Sequence, residues 1–392
     1  MKTKKLALII PLLTLVAGCD DSSLPNPSSS SNPSSTESIP SSDTGSESES
    51  TTNDSSSTSE EEKMDITDCN TTEQIDEYKK NGYTPVFKDT NFKKGFQVSK
   101  TFYGEGENPN YIDQKINFYK LYPDVHNYDW HIAQWSSKYD LMTNNGYKLS
   151  SDETGLINTI TGNGKTVDGK YLPSKELTFN SMTGGISLTL NASTEYDEPR
   201  KDGEPWVHLL LENGTPRVNG NLVRLNDYKE IIMEANYTVT KCDDKMNGKA
   251  NPNLHAAQLV WYVTIQNRNP NSEEYGRYIW FGLNLFDNRN QGKSTSLYNQ
   301  LDKGTNTGIY SLPSSEYLSS IGGKIPYVNQ PTQAKIDLKK YALEAFNISK
   351  KQGYFESTTF DEIYIGGGNF GYENPGTYDI STDFESINIF VK

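Results

Sequence analysis

Short runs in which apolar and polar residues alternate recur through residues 63–392. In Ile186-Ser187-Leu188-Thr189-Leu190 the apolar side chains share one face. Glu385 to Val391 repeats the pattern through Ile387, Ile389 and Val391. Such period-two alternation marks a half-buried antiparallel strand. Further β-rich runs are Glu176–Asn180, Trp206–Glu212, Ile231–Thr240 and Phe360–Ile365. Two more, Leu254–Ile265 and Tyr278–Leu285, are apolar on both faces and predict central strands. The polar stretch Asn267 to Gly276 joins them as a hairpin. Asn144-Asn145-Gly146, Thr161-Gly162-Asn163-Gly164, Asp168-Gly169, Asn213-Gly214 and Asn219-Gly220 are expected to supply turns.

The period changes twice. Thr71 or Thr72 caps a predicted helix over Thr72–Lys80. Asp337 caps another over Leu338–Lys350, with Leu338, Tyr341, Ala342, Ala345 and Phe346 inward and Gly353 past its end. Nothing resembles βαβ alternation. The expected fold is all-β: an antiparallel β-sandwich or jelly roll over 63–392 with one or two accessory helices.

Composition divides the chain. Only 33% of it is hydrophobic. Residues 20–62 hold 18 Ser, 5 Thr and 10 Asp or Glu, with no Lys, Arg or aromatic residue. Such a segment buries too little apolar surface to offset its ordering entropy, which predicts a disordered tether. Most of the formal charge of −14 lies there. No basic block or Arg-rich stripe occurs, which argues against a nucleic-acid partner. No apolar run reaches the roughly 18 residues of a membrane span.

Residues 1–19 carry Lys2, Lys4 and Lys5, then an apolar stretch from Leu6 to Val16, then Val16-Ala17-Gly18-Cys19. This ending resembles the lipobox of bacterial lipoproteins, with Val16 where that family prefers Leu. The resemblance implies a signal peptide, cleavage before Cys19, and lipid on its thiol and new amine. It also implies a cell-membrane location facing outside the cytoplasm, with the bilayer as partner. Two cysteines remain, Cys69 and Cys242; they either pair or stay as separate thiols.

Aromatic residues are the strongest chemical signal, with 25 Tyr and 5 Trp. By strand alternation Trp130, Ile132 and Gln134 share one side, and His131, Ala133 and Trp135 the other. Exposed aromatic faces rimmed by polar groups suit sugars. Trp130, Trp135, Trp206 and Tyr372 are therefore candidate glycan contacts. Arginine is scarce, six residues confined to 200–289. Arg200 is a candidate for gripping a sugar carboxylate; the alternative is internal ion pairing.

Paired carboxylates would make a glycosidase. Trp206, His208, Leu210 and Glu212 share a strand face, and Glu234 lies on another run. Glu212, Glu234 and His208 are the catalytic candidates. The four His lack zinc spacing and no CxxC occurs, so no transition metal is expected. Structural calcium at Asp287-Asn288-Arg289-Asn290 is the one cofactor option. Gly366-Gly367-Gly368 follows a strand but precedes no helix, so a bulged or closely packed turn is expected.

The segment from Tyr364 to Ile380 resembles the ending of secreted carbohydrate-binding jelly-roll modules. That resemblance implies glycan binding, with no catalytic residue transferred. The expected function is polysaccharide binding by a membrane-anchored domain. The alternatives are a glycoside hydrolase or lyase on the same scaffold, and a structural or adhesin-like surface protein.

Overall fold

The computed structural model describes residues 70–99, 114–116, 128–141, 146–290, 298–302, 307–312, 314–320 and 327–392. The expected signal segment and tether, Cys19, Cys69 and His126 lie outside these residues. Two nine-stranded sheets stack face to face. Sheet A orders β17 (Leu318–Ser320), β18 (Thr332–Asp337), β12 (Ile231–Asp244), β20 (Tyr378–Val391), β8 (Ile186–Asn191), β7 (Lys170–Asn180), β6 (Ile157–Val167) and β5 (Tyr147–Ser151). β1 (Thr84–Pro85) joins β20 at its end. Sheet B orders β15 (Tyr298–Asp302), β16 (Thr307–Leu312), β14 (Tyr278–Asp287), β13 (Gln258–Asn267), β19 (Ile363–Asn374), β9 (Val207–Asn213), β4 (His131–Ala133), β2 (Phe96–Val98) and β3 (Gln114–Ile116). A short hairpin pairs β10 (Arg217–Val218) with β11 (Asn221–Leu222). Pairing is antiparallel except between β14 and β16 and between β2 and β4. The fold is the all-β sandwich of jelly-roll type that the alternation predicts. The two both-face-apolar runs form its β13–β14 hairpin.

The core fills the layer between the sheets. Sheet A contributes Ile160, Leu177, Phe179, Leu188, Leu190, Met233 and Tyr237; sheet B contributes Leu209, Leu211, Trp261, Phe281, Phe370 and Tyr372. Two buried tyrosines span it. Tyr237 Oη donates to the Leu285 carbonyl at 2.6 Å, and Tyr372 Oη to the Leu188 carbonyl at 2.8 Å. Each hydroxyl is satisfied across the layer, which ties one sheet to the other without an orphaned polar atom.

Three helices decorate the sandwich. α1 (Glu73–Lys80) is capped by Thr72 and lies on the outer side of sheet A, where Tyr78 stacks on Phe390 at 3.8 Å. α2 (Ala192–Glu195) is one turn. α3 (Leu338–Lys351) is capped by Asp337 and buries Leu338, Ala342, Ala345 and Phe346. No described helix is long and apolar enough to cross a membrane.

Among the described residues one ion pair is wholly buried. Lys175 Nζ on β7 lies 3.0 Å from Glu195 Oε1 on α2, both side chains fully buried. Ser137 and Ser174 hydroxyls each donate to Glu195 at 2.7 Å, and the Lys138 amide does the same. Lys175 also donates to Ser137 and to the Tyr139 carbonyl. Burial raises the proton affinity of Glu195, but Lys175 and the two serines override it and hold the carboxyl below its usual range. Replacing Lys175 by Met strands a buried carboxylate and is expected to cost about 3–5 kcal/mol. Lys175→Met with Glu195→Leu should recover part of that loss. Urea denaturation of the two variants checks this, and a cost under about 1 kcal/mol for the single change would refute it.

Candidate functional site

The main core takes the inner face of each sheet, and each outer face carries a smaller buried cluster of its own, Ile75, Tyr78 and Phe390 on sheet A and Ala133, Leu210 and Val260 on sheet B. The two outer faces differ. On sheet A hydroxyls dominate β6, β7, β8 and β20, with Thr159 on Thr178, Thr161 on Glu176 and Thr189 on Ser381, while α1 covers Phe390 and the Glu234–Lys335 pair. On sheet B the outer face carries large aromatic and titratable side chains, and this makes it the candidate site.

Strand register places these side chains in rows. His208 on β9 stands opposite Glu373 on β19, and Glu373 opposite Gln258 on β13. Gln258 in turn faces Asp287 on β14. Trp135 continues the row, its carbonyl accepting from the His208 amide at 3.0 Å. Trp135 and Trp206 flank the His208 ring at 5.6 and 5.8 Å. A second row runs His131, Glu212, Asn369, Tyr262 and Gly282. Between them lie the small or apolar residues Ala133, Leu210, Gly371 and Val260, all buried. Tyr262 lies flat across Gly282, where an added Cβ would stand 2.0 Å from the ring. Its hydroxyl reaches Ser311 Oγ at 3.1 Å, and Trp280 packs edge-on to it.

Burial sets the electrostatics. His208 is pushed down to about 4 by desolvation and is neutral at neutral pH. Glu373 is partly buried and makes no hydrogen bond or ion pair among the described residues. Desolvation alone pushes its carboxyl up to about 7. Two buried polar atoms on this face also lack partners, Trp206 Nε1 and Asn284 Oδ1.

The predicted site residues separate. Trp135, Trp206, His208 and Glu212 come together on this face, as the shared alternation of Trp206, His208 and Glu212 indicates. Trp130 does not join them. It is 1% exposed, its indole N–H donates to the Asp89 carbonyl at 3.0 Å, and it packs against Phe87 and Phe370 in the core. Tyr372 is likewise a core residue, held across the layer by its hydroxyl. Neither presents a ring to a sugar.

Arg200 is buried, with its guanidinium donating to the carbonyls of Pro375, Lys201, Glu204 and Leu254. It stacks over Trp206 at 5.3 Å and so braces the site rather than offering a free fork to a carboxylate. Glu234 does not face Glu212. It lies on sheet A beneath α1, gripped by Tyr78 Oη at 2.6 Å and Lys335 Nζ at 2.8 Å. Burial raises its proton affinity, but those contacts override it and hold the carboxyl below its usual range.

The Asp287 carboxylate is taken by Arg289 and Gln258. Among the described residues no cluster of three or more His, Cys, Asp or Glu fits a metal. Cys242 is free and partly buried, its thiol pushed up to about 12 by burial. Glu373, Tyr262, Asn369 and Trp280 are site residues that the sequence reading did not select. The apolar neighbours Phe370 and Tyr372 are the signal that places Glu373 on the opposite face.

No protein-family model matches the chain, and no curated protein sequence matches it. Among solved structures it is similar to the endoglucanase Cel12A of Rhodothermus marinus, at 12% identity and a TM-score of 0.32, over 62% of this chain and 96% of that one. It is also similar to a family 12 xyloglucanase from Bacillus licheniformis, at 12% and 0.35, over 67% and 99%. A third is the family 11 xylanase from Neocallimastix patriciarum, at 11% and 0.32, over 67% and 100%. Similarity this low carries nothing about ligand or chemistry.

Because the folded protein holds the Glu373 proton more tightly than the unfolded chain does, stability should fall as pH rises from about 4.5 to about 7 and level off above. Glu373→Gln should therefore raise the melting temperature at pH about 8 and change it little at pH about 4. Equal shifts at both pH values would show that the carboxyl titrates normally.

Proposed function

We propose that the protein binds a polysaccharide across the outer face of sheet B. The observation that carries this reading is the concentration of Trp135, Trp206, Trp280 and Tyr262 with Glu373, Gln258 and Asn369 on the side of sheet B away from the inter-sheet layer, around a small buried cluster of Ala133, Leu210 and Val260. Aromatic rings match the apolar faces of sugars, and the interspersed amide and carboxyl groups match their hydroxyls. Trp135→Ala should weaken binding on the order of tenfold while leaving the fold intact. Trp130→Ala should instead cost about 3–5 kcal/mol of stability. Calorimetric titration with a polysaccharide panel, beside thermal melting of both variants, separates the two roles. Unaltered binding by the Trp135 variant would remove that ring from the site.

A second reading, cleavage of the glycan, is favoured by one observation: the Glu373 carboxyl is poised to hold a proton near neutral pH, as a general acid must. Glu212 lies on the neighbouring strand four residues along, roughly 13 Å away by backbone rise. Carboxyl groups in glycosidases stand about 5–10 Å apart, so both side chains would have to lean over Leu210 and Gly371. Release of reducing ends from a bound polymer would establish turnover.

We further propose that Cys19 anchors the chain to a membrane with residues 20–62 as tether, on the strength of Val16-Ala17-Gly18-Cys19 behind a short apolar run. Two acyl chains anchor stably where one is reversible. Cys19→Ala should abolish fatty-acid labelling and shift the protein out of the membrane fraction. Continued labelling would overturn this.

A further inference from the structure

The six central strands of sheet B, β4, β9, β13, β14, β16 and β19, carry three acidic residues, Glu212, Asp287 and Glu373, and no Lys or Arg. The arginines of the chain are already engaged, Arg200 and Arg289 at this face and the others away from it. Arg200 serves backbone carbonyls, Arg289 grips Asp287, Arg277 grips Glu274 and Arg224 grips Asp227. Arg268 reaches Gln266, and Arg217 the Gly220 carbonyl. Glu373 faces His208 from β9 and Gln258 from β13. The next charges along the row, Asp287 and Arg289, neutralise each other.

From this arrangement we infer that the outer face of sheet B selects an uncharged glycan and disfavours uronate-bearing chains, with Glu373 as the discriminating residue. The inference rests on the reading that this face binds a glycan. A sugar carboxylate laid on these strands would lose water, find the nearest described cations, Arg200 and Arg289, already engaged, and sit near a desolvated carboxyl; each effect opposes it. Below the range in which Glu373 titrates, the face loses its repelling charge while a uronate keeps its own. Discrimination is therefore expected to relax on acidification.

The test uses the full-length protein, a neutral xylan or glucan and a polyuronate such as pectate, titrated calorimetrically at constant ionic strength. At pH about 8 the polyuronate should bind at least roughly tenfold more weakly than the neutral polymer, the scale of one like-charge contact at a partly screened site. The gap should narrow at pH about 5, and Glu373→Gln should narrow it at pH about 8. Equal or tighter polyuronate binding at pH about 8, or a gap that neither acidification nor the substitution alters, would overturn the inference and leave glycan binding standing. Absence of binding to either polymer would overturn the glycan reading and this inference together.

Discussion

Filling a single layer between two sheets with alternate side chains is the constraint from which the rest of this molecule follows. Once a residue enters the layer, its neighbours along the strand must face out. Trp130 and Ile132 go in, so His131, Ala133 and Trp135 go out. Leu209 and Leu211 go in, so His208, Leu210 and Glu212 go out. The candidate site is in this sense the complement of the core. The complement on sheet A differs, with hydroxyl pairs on β6, β7, β8 and β20 and, beneath α1, Phe390 and the Glu234–Lys335 pair.

β19 shows how the alternation can be reset. Ile363 and Ile365 point into the core, and so do Phe370 and Tyr372. The first pair are odd-numbered and the second even, so the alternation slips between them. The slip falls at Gly366-Gly367-Gly368, where pairing with β13 is irregular between Val263 and Ile265. A Cβ on Gly366 would stand 2.0 Å from Thr264 Oγ1, and one on Gly368 2.5 Å from the Tyr262 carbonyl, so the backbone approaches more closely than side chains allow. Without the slip, Glu373 would lie in the core. The glycine run thus turns a carboxyl outward; where the sequence suggested a bulged or closely packed turn, it forms a bulge within the continuous strand β19.

Local signals were legible for most local structure, but Thr161-Gly162-Asn163-Gly164, which the sequence marks as a turn, lies within β6, where its glycines sit at a bulge against β7. The alternating strands, the β13–β14 hairpin and the caps at Thr72 and Asp337 follow from neighbouring residues. So does the common face of Trp206, His208 and Glu212. What alternation leaves open is which of two faces meets the core, and here it left Trp130 and Trp135 indistinguishable. It also does not say which sheet a strand joins. Glu234 sits on β12, whose neighbour in sheet A is β20, over a hundred residues later; no local pattern reports that pairing. Arg200 is satisfied by carbonyls as distant as Leu254 and Pro375. Its structural role depends on loop packing that no spacing rule reads.

Two carboxyls show how the protein separates architecture from function. Glu195 and Glu373 both lose water on folding, and desolvation pushes each toward its neutral form. Glu195 meets an ammonium, two hydroxyls and an amide, and stays ionised as the hub of a network. That network fixes residues 137–139, directly after Trp135, and so holds one ring of the candidate site in place. Glu373 meets no such group among the described residues and takes the neutral form instead. A fold selected for stability alone would pair or delete such a carboxyl, because leaving it unpartnered opposes folding at neutral pH. Its retention on the aromatic face, beside a neutral His208 and unpartnered atoms of Trp206 and Asn284, is the kind of local violation that marks where a ligand completes the structure.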